Sequence, residues 1–283
     1  MNGPADRAQL ALLLEVAGTP KPGNVDRERD LSALRFEHFL AGAVGSRTGL
    51  DMAEAGDPVG AAFERSVAGM ATQEGGNTQF GSLLLLVPLV SAAAAELTPE
   101  RCDDVVSETT VADAEAFYRA FDHVSVAVDD PPADAAALDV RRGSDAIPAV
   151  RERGLDLQSV LELGVPGDDV AREWVTGFER SFAAADRLGD RSGPVVDRTA
   201  AVYLSLLAER PDTLVVTRHG ESVAADVRER ASTLAERDAV VTDRPAVTTF
   251  ADDLVAEGIN PGTTADLVAA GLFIALERGT ISV

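Results

Sequence analysis

Leucine, alanine and valine recur along this chain at intervals of three and four residues, a period that only helices packed on one another can use. Leu10, Leu13, Leu14 and Ala17 mark a helix over 7–17. Phe36, Phe39, Leu40, Ala43 and Val44 form one apolar face of the next, with Ser32 as its expected N-cap. The same reading predicts helices over 58–71, 82–95, 97–107, 111–121 and 195–208, and one opening near Asp266 and running through Leu276. Asp168 and Asp169 start a long helix through Phe182, acidic at its positive end as the macrodipole favours. Residues 214–217 have strand propensity but no evident partner strand. Aromatics are 5% of the chain against 46% for all hydrophobics, so small and aliphatic side chains must do the packing. The expected fold is all-α, one large helical domain over 1–283 with polar loops converging on a pocket.

Charge and punctuation narrow the function. The formal charge of -22 argues against broad nucleic-acid binding, which needs a basic surface. An acidic, lysine-poor surface on a folded composition fits a halophilic cytoplasm, where molar salt cuts the Debye length to about 3 Å and screens self-repulsion. The apolar run 83–90 is too short to span a bilayer, and the first residues lack the basic and apolar regions of a signal peptide. The expectation is a cytoplasmic protein with small-molecule substrates and neither membrane nor nucleic-acid partner; a homo-oligomer stays open. Cys102, the single cysteine, excludes an internal disulfide and a cysteine metal cluster. The segment 129–137, with Asp-Asp-Pro-Pro, reads as a mid-chain loop rather than a domain linker.

Only one of the 25 Lys and Arg residues is a lysine, Lys21, and it lies between two prolines in Thr19-Pro20-Lys21-Pro22-Gly23-Asn24-Val25-Asp26-Arg27. Each proline fixes its own φ and restricts the residue before it, so the backbone here is stiff. The loop presents an ammonium, an amide, a carboxylate and a guanidinium, a set suited to a phosphate-rich ligand; an interhelical connector is the bland alternative. Glu15 is either a solvated helix residue or a carboxylate reaching back toward this loop.

Three more polar loops follow. Gly75-Gly76-Asn77-Thr78-Gln79-Phe80-Gly81 opens an apolar helix, where free N–H groups favour anions, although Asn77 or Thr78 also suits a simple cap. Arg218, His219 and Gly220 set two potential cations beside a flexible backbone position, downstream of Asp212. Asn260-Pro261-Gly262-Thr263-Thr264-Ala265-Asp266 is a second loop-to-helix anion site in outline, or a capping turn. His38 and His123 fit structural or surface positions better than catalytic ones.

With those loops in hand, the chain resembles the triphosphoribosyl-dephospho-coenzyme A synthase family, particularly its archaeal branch. The matching segments are Glu15 with 19–27, Gly76-Asn77-Thr78 with Gly81, Pro211-Asp212-Thr213 with Arg218 and Gly220, and 261–267. The Pro-Lys-Pro-Gly block is the most specific. Asn24 stands where members serving citrate or malonate lyases typically have Leu, and 28–31 replaces their His/Asp/Met-rich continuation. The resemblance implies an all-helical transferase with ATP as substrate and Mg²⁺ as cofactor. The 2′-hydroxyl of 3′-dephospho-CoA attacks C1 of the ATP ribose and adenine leaves. On this reading Asp26 and Asp212 are the catalytic candidates. Lys21, Asn24, Arg27, Asn77, Thr78, Arg218, His219, Thr263 and Thr264 bind nucleotide or phosphate, and Asp26 and Asp266 hold metal. A pentosyl transferase with another acceptor, and a non-catalytic nucleotide-binding protein, are the alternatives.

Overall fold

Two helices that are apolar on every side have to be enclosed by others, and this requirement organises the molecule. In a computed structural model describing residues 3–131, 133–165 and 167–283, these are Phe80–Ala93 and the C-terminal helix Gly262–Glu277, packed against each other. Pro4–Ala17, Glu179–Asp190 and Val195–Glu209 also pack on the C-terminal helix, while Arg47–Ala55 and Val59–Met70 pack on Phe80–Ala93. Small residues allow the closest approaches: a Cβ on Gly271 would lie 2.7 Å from Ala184 Cβ. One apolar cluster runs from Ala5 to Ile281 through these helices. Among the described residues the only β pairing is an isolated bridge between Asp26 and Arg29.

Pro88 lies inside Phe80–Ala93 and has no N–H to give, which deprives the Leu84 carbonyl of its helical donor. Trp174 repairs this: its indole Nε1 donates to Leu84 O at 3.1 Å from a fully buried position. The chain's one tryptophan therefore stands in for the hydrogen bond that the proline removes.

Several expected elements change in detail. The helix predicted from Asp168 through Phe182 is two, Asp169–Val175 and Glu179–Asp190. Gly177 and Phe178 between them have φ of 65° and 59°. Glu173 caps the second helix from within the first, accepting Ser181 N at 2.8 Å and Arg180 N at 3.2 Å. Ser32 is not a cap; the helix is Phe36–Gly45, and Asp30 Oδ1 accepts Phe36 N at 2.8 Å. Residues 214–217 belong to the helix Thr213–His219, capped by Asp212. In the predicted loop 129–137, Pro132 lies outside the described residues and Ala133–Leu138 is a 3-10 helix. Arg47–Ala55, Ile147–Arg153, Leu157–Glu162, Glu221–Ala235 and Arg244–Ala256 are helices that hydrophobic spacing did not single out.

Trp174→Phe should leave a buried carbonyl unsatisfied and cost about 1–3 kcal/mol in denaturant unfolding. Pro88→Ala in that background should recover part of the loss by restoring the helical donor. Equal stability of Trp174→Phe and wild type would overturn the repair.

Candidate active site

The shared direction of the two core helices sets the site: both begin at the same end of the molecule, where Ser82 Oγ of one donates to Asp266 Oδ1 of the other at 2.6 Å. The positive ends of two macrodipoles therefore meet there. A cleft of about 630 Å³ opens at this end. Asn24, Asn77, Thr78, Arg218, Thr263 and Asp266, from all four polar loops, line it together with Glu15 and Ser82. The expected convergence of the loops is what the structure contains.

Direct bonds hold the loops in register. Asn24 Nδ2 donates to Asn260 Oδ1 at 3.0 Å, and Thr213 Oγ1 to Thr263 Oγ1 at 3.0 Å. Tyr203, fully buried, lies with its hydroxyl between Pro22 O at 2.9 Å and Pro261 O at 3.3 Å. Gly23 has φ 73°, and a Cβ there would collide with Ile259 O, so the position requires glycine. Arg244 donates to Thr19 O at 2.7 Å, fixing the far side of the lysine loop. The Thr19–Pro20 peptide is cis.

Lys21 is wholly buried and does not line the cleft. Its ammonium pairs with Glu15, sits 3.3 Å from Asn24 Oδ1 and lies 5.9 Å from the Tyr203 ring centroid. Read from the sequence as a phosphate ligand, Lys21 contacts the two side chains, Glu15 and Asn24, that do face the cleft. Glu15, left open between solvent and site, is 3% exposed and lines the cleft. Burial raises its carboxyl above the ordinary value and the Lys21 ammonium opposes the rise.

Asp26, expected as base and metal ligand, is also fully buried and absent from the cleft wall. Its Oδ2 accepts Thr19 Oγ1 at 2.9 Å, Lys21 N at 3.0 Å and an Arg29 guanidinium N–H at 3.1 Å; its Oδ1 accepts Glu28 N at 2.8 Å. Both Asp26 oxygens are engaged by the loop's own donors, and the carboxylate ties that loop together. Asp212 is likewise engaged: Oδ1 accepts Leu214 N and Val215 N, while Oδ2 accepts the N–H and hydroxyl of Thr264, both at 2.7 Å. Burial pushes its carboxyl up to about 6. Thr264 thereby also serves structure. Arg27 is exposed, with its Nε 3.9 Å from Glu28 Oε1; Arg29, which sequence reasoning passed over, is the guanidinium that contacts Asp26 and Asp252. His219 is exposed and outside the cleft wall, and His38 caps its own helix by accepting Arg35 N. His123 sits at the surface near Glu64.

Arg218 is the one basic side chain on the cleft wall among the described residues, against Glu15, Asp129, Asp130, Asp139, Asp168 and Asp266. Asn77 Oδ1 accepts Phe80 N at 3.1 Å, whereas Thr78 Oγ1 is buried without a hydrogen-bond partner among the described residues. Burial pushes the Asp266 carboxyl up to about 8, with the Ser82 hydroxyl opposing it and Glu15 reinforcing it. No group of three or more His, Cys, Asp or Glu side chains is positioned to cage a metal among the described residues. The oxygen donors at the polar end suit a hard cation shared with a phosphate ligand, since Mg²⁺ commonly takes one or two carboxylates and completes its shell from phosphates.

Lys21→Met should leave Glu15 buried without its counter-charge and cost about 3–5 kcal/mol. Lys21→Arg keeps the charge but has no room for the larger head, so it should be destabilised too, measured by denaturant unfolding in concentrated KCl. Wild-type stability and activity in Lys21→Arg would mean that the surviving lysine carries no special requirement. Asp266 gives a pH signature in the metal-free protein. Its folded-state value lies above its unfolded one, so its stabilising contribution is complete below about pH 4 and is lost as pH rises to about 8. The Tm of wild type relative to Asp266→Asn should therefore fall across that window; a constant difference would refute the raised value.

The family model for CitG, described as ATP:dephospho-CoA triphosphoribosyl transferase, matches residues 1–282. No protein of curated function matches the chain. A crystal structure from Archaeoglobus fulgidus, provisionally assigned as a triphosphoribosyl-dephospho-CoA synthase, is similar at 24% identity with a TM-score of 0.68, covering 86% of this chain and 100% of that one. That likeness supports the all-helical fold. Because the family model spans all but the last residue and its loops meet in one cleft, the chain belongs to the ATP:dephospho-CoA triphosphoribosyl transferase family.

Proposed function

We propose that the polar end of the cleft binds ATP with C1 of its ribose between Glu15 and Asp266, and that the 2′-hydroxyl of dephospho-CoA attacks there. The observation carrying this reading is that two carboxylates with opposite surroundings, one paired with an ammonium and the other facing a hydroxyl, share one cleft wall. In the transfer, the bond from C1 to the adenine nitrogen breaks and a bond from C1 to the acceptor oxygen forms. The hydroxyl proton goes to a carboxylate and adenine takes one up. Glu15, beside Lys21, is suited to accept the proton and to face the positive charge that develops at C1, as in glycosyl transfers. The departing base takes its proton from solvent, which leaves Asp266 free to ionise beside a bound cation.

The triphosphate stays on the transferred sugar, so its charge must be met throughout. Arg218 and the N-termini of Phe80–Ala93 and Gly262–Glu277 supply part of this. Asn24, Asn77, Thr78 and Thr263 offer hydrogen bonds to ribose and phosphate oxygens. One guanidinium among so many carboxylates is too little for a polyanion, which supports Mg²⁺ as a required cofactor. Asp266 is the carboxylate that would hold it, and it would supply charge neutralisation at the phosphates. The acidic surface, with 47 Asp and Glu, supports a cytoplasmic enzyme working at high salt.

Adenine release from ATP in concentrated KCl, with and without dephospho-CoA, tests the reading. Release should depend on both acceptor and Mg²⁺, stop on chelation, and fall about 10²-fold or more in Glu15→Gln. Release independent of the acceptor, or full turnover in Glu15→Gln, would overturn these roles.

A further inference from the structure

The same cleft has a second end with different chemistry. Beyond the polar loops its wall is made by Phe117, Phe121, Leu138, Val140, Val160 and Leu161. Tyr118 adds a ring but no hydroxyl, because its OH donates to Leu138 O at 2.6 Å. At the mouth stands Leu163, 52% exposed, one of the few large hydrophobics left open to solvent. This arm has no basic side chain, and Asp129 and Asp130 border it, so a triphosphate is repelled there.

One further side of the arm is an irregular segment of chain. Residues 126–131 line the cleft without regular structure, and among the described residues no hydrogen bond engages their main-chain groups. N–H and C=O groups that have no partner among the described residues, beside an apolar wall, match a ligand that is uncharged, elongated, apolar along its length and interrupted by amides. ATP has no such part. The acceptor does: its pantetheinyl chain carries two amides and a dimethyl-substituted carbon.

We infer that the apolar arm seats the pantetheinyl chain of the acceptor, with the backbone of 126–131 pairing its amides. The inference rests on the reading of the polar end as the site of transfer. Binding energy from a part of the acceptor remote from the reacting hydroxyl then holds that hydroxyl at the ribose, which lowers the entropy loss of the transfer step.

The test compares dephospho-CoA with the methyl ester of ADP, which keeps the nucleoside diphosphate and its 2′-hydroxyl but has no chain. Two variants are made: Val126→Trp, which fills the arm, and Leu163→Glu at its exposed mouth, where folding is not at risk. Wild type should prefer dephospho-CoA by about tenfold or more in kcat/KM, since each 1.4 kcal/mol of chain binding gives a factor of ten. Val126→Trp, and more weakly Leu163→Glu, should raise KM for dephospho-CoA while leaving KM for ATP and the rate with the methyl ester unchanged. Equal loss with both acceptors, or no preference in wild type, would overturn the subsite. Calorimetric binding of the two acceptors gives the same comparison without turnover. If neither acceptor releases adenine, the transfer reading fails, while tighter binding of dephospho-CoA that is lost in Val126→Trp still supports the arm.

Discussion

The site depends on one ammonium enclosed among apolar helices. Glu15 lies in the last turn of Pro4–Ala17, where the helix dipole is negative and burial already penalises a carboxylate. Lys21 supplies the missing charge by direct contact and, in the same move, comes within hydrogen-bonding reach of Asn24. Desolvating an ammonium is expensive, so it is kept only where the charges it meets are close and its backbone is fixed. Asp26 does the fixing by binding four donors of the loop, and Tyr203 joins that loop to the start of the C-terminal helix. A compact point charge fits this enclosure and a planar guanidinium does not, which accounts for a lysine in a chain that otherwise uses arginine.

Above this support the cleft is electrostatically one-sided. A wall bearing, among the described residues, one arginine and several carboxylates is a poor receptor for phosphate by itself, and helix N-termini are a further source of positive potential that the fold supplies. The division of the cleft into a polar end and an apolar arm follows from the same two core helices. Their N-termini, with Ser82 and Asp266, face the polar end. Leu84, one turn further into Phe80–Ala93, already faces the apolar wall near the Trp174 repair of Pro88.

Part of the cleft lining was legible because loop chemistry is local. Asn24, Asn77, Thr78, Arg218, Thr263 and Asp266 stand out as polar groups in Gly/Pro loops between apolar helices, and these are the predicted residues that line the cleft. Side-chain direction was not legible. Asp26 and Asp212 look reactive in sequence, but backbone N–H groups close in space occupy their oxygens. Arg29 rather than Arg27 meets Asp26 because an isolated bridge between 26 and 29 turns the chain back on itself. The apolar arm looks, in sequence, like any other stretch of core.

The sequence by itself determined an all-helical fold, through the three-to-four period of its aliphatic residues, and the positions of four polar loops, through proline, glycine and short hydrogen-bonding side chains. It also marked Lys21 as exceptional. Only the tertiary structure decided that Lys21 turns inward to Glu15, that the helix after Asp168 breaks at Gly177, and that Glu15 and Asp266, far apart in the chain, line the same cleft. The reason is physical: periodicity and turn propensity act over a few residues, whereas burial and pairing of charges are settled by groups that meet only when the helices pack.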